Sequence, residues 1–335
     1  MPQDLPFDVP FPYRTSPDAA GTRARSLAWC RRRGLLTGAV DELRAARWDI
    51  PGLMARWCPL AEGAALDLAS EAVLVATMLD DQIDGPLADR PDRVRELCAG
   101  FNRVLHGSGD GTVPDRTGPL VAAFADVWRR LAEGADPDWL RLTARHWQWC
   151  FDAYAEEAGN RARRRRLGFE EFMELRRRSG FVPAMIDLSQ RAHGYELPAA
   201  LAEHPVPARM LEITSDVVDT VNDVHSLEKE ESRGDPHNLV LVIEGERGLD
   251  RAAALAEVQR LVAAWTAEFT VLADTLRRRP PAGASPALLA RHTEALACAM
   301  RGYLEWSRRT ERYSHLVPPG EPALTADLLT PPEER

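Results

Sequence analysis

From Thr22 onward, apolar residues recur every three to four positions along most of this chain. That period predicts helices over 22–34, 37–46, 62–80, 90–106, 117–133, 137–158, 169–178, 183–191, 206–229, 235–245, 249–278 and 285–306. Glycine- and proline-rich breakers fall between them, among them 107–112, 136–137, 180–183, 234–236 and 280–283. No stretch alternates with the period of two expected of a strand, and no repeat of 20–50 residues is present. Residues 1–20, rich in proline and carrying Phe7, Phe11 and Tyr13, read as an ordered but irregular arm. Short connections between so many helices predict one all-α domain over residues 1–335, closed by a mobile tail from about residue 316.

Two helices break the ordinary division into an apolar inner and a polar outer face. The apolar run 71–79 leads straight into Asp80-Asp81-Gln82-Ile83-Asp84. Asp80 and Asp84, four apart, share a face, while Asp81 points about 100° away. Carboxylates at a helix C-terminus oppose the macrodipole, a cost that a bound cation would offset; the alternative is a solvated last turn before Gly85-Pro86. The run 211–221 leads into Asn222-Asp223-Val224-His225-Ser226-Leu227-Glu228-Lys229-Glu230. Asn222, Ser226 and Glu230 recur at four-residue steps that drift about 40° each, so an amide, a hydroxyl and a carboxylate form one stripe. Hard oxygen donors in that pattern suit magnesium, whose remaining positions go to water and phosphate; the alternative is an exposed polar face.

Charge and composition narrow the picture. With 42 basic and 51 acidic residues the net charge is −9, which argues against a general binder of nucleic acid or of anionic membranes. No apolar run reaches the length of a membrane span, so no stable membrane insertion is expected, and the first residues lack the pattern of a signal peptide. Five cysteines without a CxxC pair read as buried thiols of a reducing, cytoplasmic protein. Lys229 is the only lysine, and it lies inside the polar stripe. Three other basic segments stand out: Arg176-Arg177-Arg178 before Ser179-Gly180, the run Arg161–Arg166, and Arg312-Tyr313 after Trp306. Alone, these read as helix-end caps, a solvated loop and an ordinary helix end.

Together and in order, these segments resemble the class I terpene synthases of bacterial type. In that family a DDxxD motif and an NDxxSxxxE motif face each other across the mouth of a helical cavity. Residues 80–84 match the first and 222–230 the second, including the Lys-Glu ending. The family's diphosphate-sensing arginine lies 46 residues before the asparagine, which falls on Arg176. Its linker and effector positions then fall on Ser179 and Gly180, and its C-terminal Arg-Tyr pair on Arg312 and Tyr313, preceded by Trp306.

The resemblance implies an α-bundle around a central hydrophobic cavity and magnesium-dependent ionisation and cyclisation of a linear prenyl diphosphate. A C15 chain is favoured and a C20 chain is the variant. It implies three Mg2+ ions, held by Asp80, Asp84, Asn222, Ser226 and Glu230, and a diphosphate held by Arg176, Lys229, Arg312 and Tyr313. Asp81 is expected to pair with Arg312 as the site closes, Gly180 to direct its carbonyl into the cavity, and Trp306 to stand with them and Arg176 among the catalytic residues. Without ligands, Arg176 and Arg312 are expected to stand away from an open mouth. The small and flexible Ala76-Thr77-Met78-Leu79 occupies a helix that commonly carries an aromatic in this family, which predicts a wide cavity floor. A prenyl chain-elongating transferase would need a second aspartate-rich motif in place of the Asn/Ser/Glu stripe. A non-enzymatic helical scaffold gives buried polar residues no reason to converge. A homodimer is the default assembly for such a helical protein.

Overall fold

The computed structural model describes residues 5–88, 90–107, 118–313, 324 and 328–330. These hold fourteen helices and no strand: α1 (Ala19–Arg32), α2 (Ala39–Trp48), α3 (Ile50–Trp57), α4 (Gly63–Asp84), α5 (Pro91–His106), α6 (Pro119–Ala132), α7 (Pro137–Arg163), α8 (Phe169–Ser179), α9 (Val182–Ala192), α10 (Ala199–Ala202), α11 (Pro205–Arg233), α12 (Leu239–Arg247), α13 (Arg251–Arg278) and α14 (Pro286–Ser307). The periodicity locates twelve of them. It misses α3 and the single turn of α10.

The miss at α3 has a physical cause. Ile50–Trp57 is buried at every position except Arg56, so it has no polar face to set a period. Pro51 and Gly52 look like breakers in sequence, yet a proline in the first turn gives up only a backbone donor that has no helical partner anyway. Asp49, at φ 51°, closes α2 and caps α3, accepting the Gly52 N–H at 3.1 Å.

α4 and α11 are the two helices on which the site is built. α4 packs on α1, α3, α6 and α9, and α11 on α8, α9, α12, α13 and α14. Both outrun their predicted ends. α4 continues through Asp84, and α11 continues to Arg233, where Gly234 at φ 70° donates to the Glu231 carbonyl and Asp235 to the Glu230 carbonyl. Both acidic motifs are therefore helical throughout. An aromatic cluster fastens the α5–α6–α7 side: Phe124 lies 4.8 Å from Trp147, Phe101 5.0 Å from Phe151, and Trp147 meets Phe181 edge-on at 4.5 Å.

The arm is irregular, and it is held. Phe7 and Val9 are buried, Phe11 packs edge-on against Phe269 of α13, and the Asp8 carbonyl accepts from the Thr266 hydroxyl at 3.1 Å. Of the expected mobile tail, Leu324 and Leu328 are fully buried, and the Leu120 N–H donates to the Leu328 carbonyl at 3.2 Å. Residues 316–323, 325–327 and 331–335 lie outside the described residues. All five cysteines are buried and free. No helix among the described residues is long and apolar enough to cross a membrane.

Candidate active site

A cleft between α4 and α11 has two halves of different chemistry. The inner half encloses about 650 Å³ including its open mouth. Its walls include Ile50 and Leu53 of α3, Val73, Ala76 and Thr77 of α4, Phe181 and Met185 of α9, and Val218 of α11. Ala76 and Thr77 stand where a bulkier pair would narrow the floor. The outer half is lined by Asp80, Asp84, Glu157, Glu230 and Asp235 and by the cations Arg161, Arg176, Lys229 and Arg312. Five carboxyls and four permanent cations in one pocket make a site for guests of both signs. Asp80, Tyr154, Arg176, Asn222, Arg312 and Tyr313 border both halves and mark the line between them.

The α11 stripe reaches this pocket as its spacing predicts. Asn222 is held from both ends: its Oδ1 accepts from Arg176 at 2.7 Å, and its Nδ2 donates to the hydroxyls of Tyr303 (2.7 Å) and Tyr313 (2.8 Å). The Ser226 hydroxyl donates to the Asn222 carbonyl at 2.9 Å, which leaves its lone pairs for an electrophile. Glu230 accepts from Asn238 at 2.7 Å; the same amide donates to the Asp223 carbonyl at 2.6 Å. Burial, followed by the charges of Asp223 and Asp235, pushes the Glu230 carboxyl up to about 8.

On α4, Asp80 and Asp84 share a face and meet different cations. Arg312 donates to Asp80 at 2.7 Å, and Arg161 lies 3.4 Å from Asp84. Burial and the neighbouring Asp84 raise the proton affinity of Asp80, and burial likewise raises that of Asp84. Asp81 points elsewhere and is 3% exposed. The described ion pair of Arg312 is with Asp80, and the charge of Asp81 attracts it as well.

Arg176 is seated, donating to Asp223 from Nε at 3.0 Å and from Nη2 at 2.7 Å. Tyr313 is 5% exposed, and its hydroxyl lies 3.0 Å from that of Tyr303. Trp306 borders the inner half and donates from its indole to the Trp48 and Asp49 carbonyls, each at 3.0 Å. The Lys229 ammonium reaches the outer pocket and makes no hydrogen bond or ion pair with a described residue. Gly180 ends α8 at the cavity wall, and a Cβ there would collide with the Asp219 carboxyl. Phe181, left-handed at φ 64°, turns the chain into α9.

Sequence reasoning passed over several residues. Arg161, read as part of a solvated loop, continues α7 inward with its side chain 8% exposed, whereas Arg163, Arg164, Arg165 and Arg166 are exposed. Tyr154, Glu157 and Arg161 are spaced three and four apart, so a helical face was there to be seen. Asp235 and His237 (2.8 Å apart) and Asn238 carry a sequence signal only through the resemblance of residues 234–239 to the family, and Tyr303 gave none, because it enters the site through tertiary packing.

No cluster of three His, Cys, Asp or Glu side chains among the described residues closes on a single point. The donor set nevertheless fits a hard cation. Asp80, Asp84, Asn222, Ser226 and Glu230 all present oxygen to one pocket, and burial, helped by neighbouring carboxylates, raises the proton affinity of Asp80 and Glu230, a cost to their charged forms that a bound cation would offset.

The family model described as terpene synthase family 2, C-terminal metal binding, matches residues 71–268. That span holds both acidic motifs. The chain belongs to this family of terpene synthases. The synthase is 34% identical to the pentalenene synthase of Streptomyces exfoliatus, over 93% of this chain and 94% of that one. It is 33% identical to the (-)-beta-caryophyllene synthase of Saccharothrix espanaensis, described as farnesyl diphosphate cyclizing, over 93% and 90% of the two chains. Among solved structures it is similar to an a-eudesmol synthase, with a TM-score of 0.82 and 29% identity over 91% of this chain and 99% of that one. The all-α class I architecture and the activity that the motifs imply are those of these enzymes, and their metal-binding region is the one that carries residues 80–84 and 222–230 here.

Proposed function

We propose that this synthase binds farnesyl diphosphate with three Mg2+ ions, ionises it and cyclises the C15 chain within the inner half of the cleft. The observation that carries this reading is the border between the halves. The same six side chains that end the charged pocket begin the apolar one, which is how a diphosphate and its hydrocarbon would be divided.

Asp80 and Asp84 from one side, and Asn222, Ser226 and Glu230 from the other, would hold the ions. Bound magnesium supplies Lewis-acid stabilisation of the leaving diphosphate. Arg176, Lys229, Arg312 and the Tyr313 hydroxyl donate hydrogen bonds to the diphosphate oxygens, and Arg176 keeps its guanidinium oriented through Asp223. Phe181 and Trp306 supply aromatic surface to the cation, and the apolar wall excludes the water that would quench it. The C15 chain follows from the relatives that cyclise farnesyl diphosphate. A chain-elongating transferase is the weaker reading, since α11 carries the Asn222-Ser226-Glu230 stripe where that reading needs aspartates.

The test is a panel of C10, C15 and C20 diphosphates, each with and without isopentenyl diphosphate. The expected outcome is the highest kcat/KM with C15 and a cyclic C15 product. Preference for C20, or chain extension, would contradict it.

A further inference from the structure

One buried acid has no part in the handling of diphosphate. Asp219 sits on α11 one turn before Asn222 and borders the apolar half of the cleft. It is 3% exposed. Its Oδ2 is sealed from solvent without a hydrogen-bond partner, and neither oxygen accepts a hydrogen bond from a described residue. The charged groups that act on it are Arg176, Asp223, Asp216 and Glu157. Arg176 is committed to Asn222 and Asp223, and Asp216 to Arg177 at 2.6 Å. Gly180 is the reason the carboxyl fits, since any side chain there would occupy its place.

Leaving a buried polar group unpaired is costly, so a fold that keeps one against a cavity wall gives it a use. Burial raises the proton affinity of Asp219 well above the ordinary carboxylate range, and the charge of Arg176 only partly opposes this. The side chain is thus a proton reservoir facing hydrocarbon.

We propose that Asp219 is the acid–base residue of the hydrocarbon half of the reaction, a reading that rests on the function proposed above. After ionisation and a first ring closure, the cation loses a proton to an oxygen of the released diphosphate and becomes a neutral cyclic polyene. The π pair of one of its double bonds then takes the carboxyl proton of Asp219. A C–H bond forms, the O–H bond breaks, and a new carbocation stands beside a carboxylate. Further ring closure moves the positive charge. The carboxylate then removes a proton from the carbon next to the final cationic centre, so that the O–H bond and a C=C bond form together and the enzyme returns to its starting state. No oxidant or further reactant is consumed.

The experiment equilibrates the enzyme in D2O, adds Mg2+ and less than one equivalent of farnesyl diphosphate, so that each carboxyl delivers its own deuteron once and not a proton taken from an earlier substrate, and analyses the hydrocarbon by mass spectrometry. The wild type is expected to give a main product one mass unit heavier than in H2O. Asp219→Asn keeps the shape of the side chain without its transferable proton, and should give a less cyclised hydrocarbon free of deuterium. Asp219→Ala, checked by circular dichroism, serves the same end if the asparagine variant does not fold. A wild-type product without deuterium overturns the proposal whatever the variants do. The same product with the same deuterium content from a folded variant also overturns it. If the wild type releases no diphosphate at all, the proposed function fails and takes this inference with it, an outcome distinct from a cyclic product that lacks deuterium.

Discussion

Asp80 and Asp81 are neighbours in sequence with opposite fates. Asp80 faces the pocket and Arg312, whereas Asp81 turns into the protein. Asp80→Asn should therefore raise the Mg2+ concentration needed for half-maximal rate and lower saturated turnover by on the order of a hundredfold. Asp81→Asn should act mainly on thermal stability. Equal losses of magnesium affinity in the two variants would contradict this division. Asp80, Asp84 and the Asn222-Ser226-Glu230 stripe were legible in the sequence because one helical period fixes which side chains share a face. Tyr303 and the lack of a partner for Asp219 were not, because they depend on which helix lies opposite. Asn222 meets Tyr303 and Tyr313, 81 and 91 residues away.

At the scale of elements, the helices that carry the motifs announced themselves and the helix that supports them did not. α3 is a short, almost wholly buried helix that lends Ile50 and Leu53 to the cavity and packs along α14. Their crossing is close because Gly302 of α14 has no side chain: a Cβ there would stand 2.5 Å from the Arg56 carbonyl oxygen and 3.0 Å from the Trp57 nitrogen. Backbone cannot yield as a flexible side chain does. Gly302→Ala should force the two helices apart, at about 1–3 kcal/mol for overpacking, and lower Tm by on the order of 5 °C. Thermal unfolding followed by circular dichroism measures this. An unchanged Tm would show that the crossing adjusts freely. The shift of α14 should also disturb Tyr303 and Trp306 at the cavity, so activity should fall with stability.

At the scale of the whole molecule, the acidic balance of the chain conceals buried groups whose titration sets its pH limits. Burial lowers the His292 imidazole to about 4, and its nearest polar partner is the Tyr195 hydroxyl at 3.3 Å. Between the ordinary value of about 6.5 and 4, the unfolded chain holds a proton on this residue that the native protein does not. Its contribution to stability is full above pH 6.5 and is lost as the pH falls towards 4, about 2 kcal/mol between pH 7 and pH 5. His292→Gln should therefore show a shallower fall in urea-derived stability over that range than the wild type. Equal slopes would mean that His292 titrates alike in both states. The central claim is that the two halves of the cleft divide a prenyl diphosphate, with the ion-binding half driving ionisation and the apolar half shaping the product. The most direct measurement is the stoichiometry of released diphosphate to volatile hydrocarbon from farnesyl diphosphate, with and without Mg2+, in the wild type and in Asn222→Ala. The account predicts one diphosphate released per cyclic C15 product in the wild type with Mg2+, and loss of both signals without the metal or in Asn222→Ala at unchanged helical content. Diphosphate release that persists in folded Asn222→Ala, or release accompanied only by linear C15 alcohol, would contradict it.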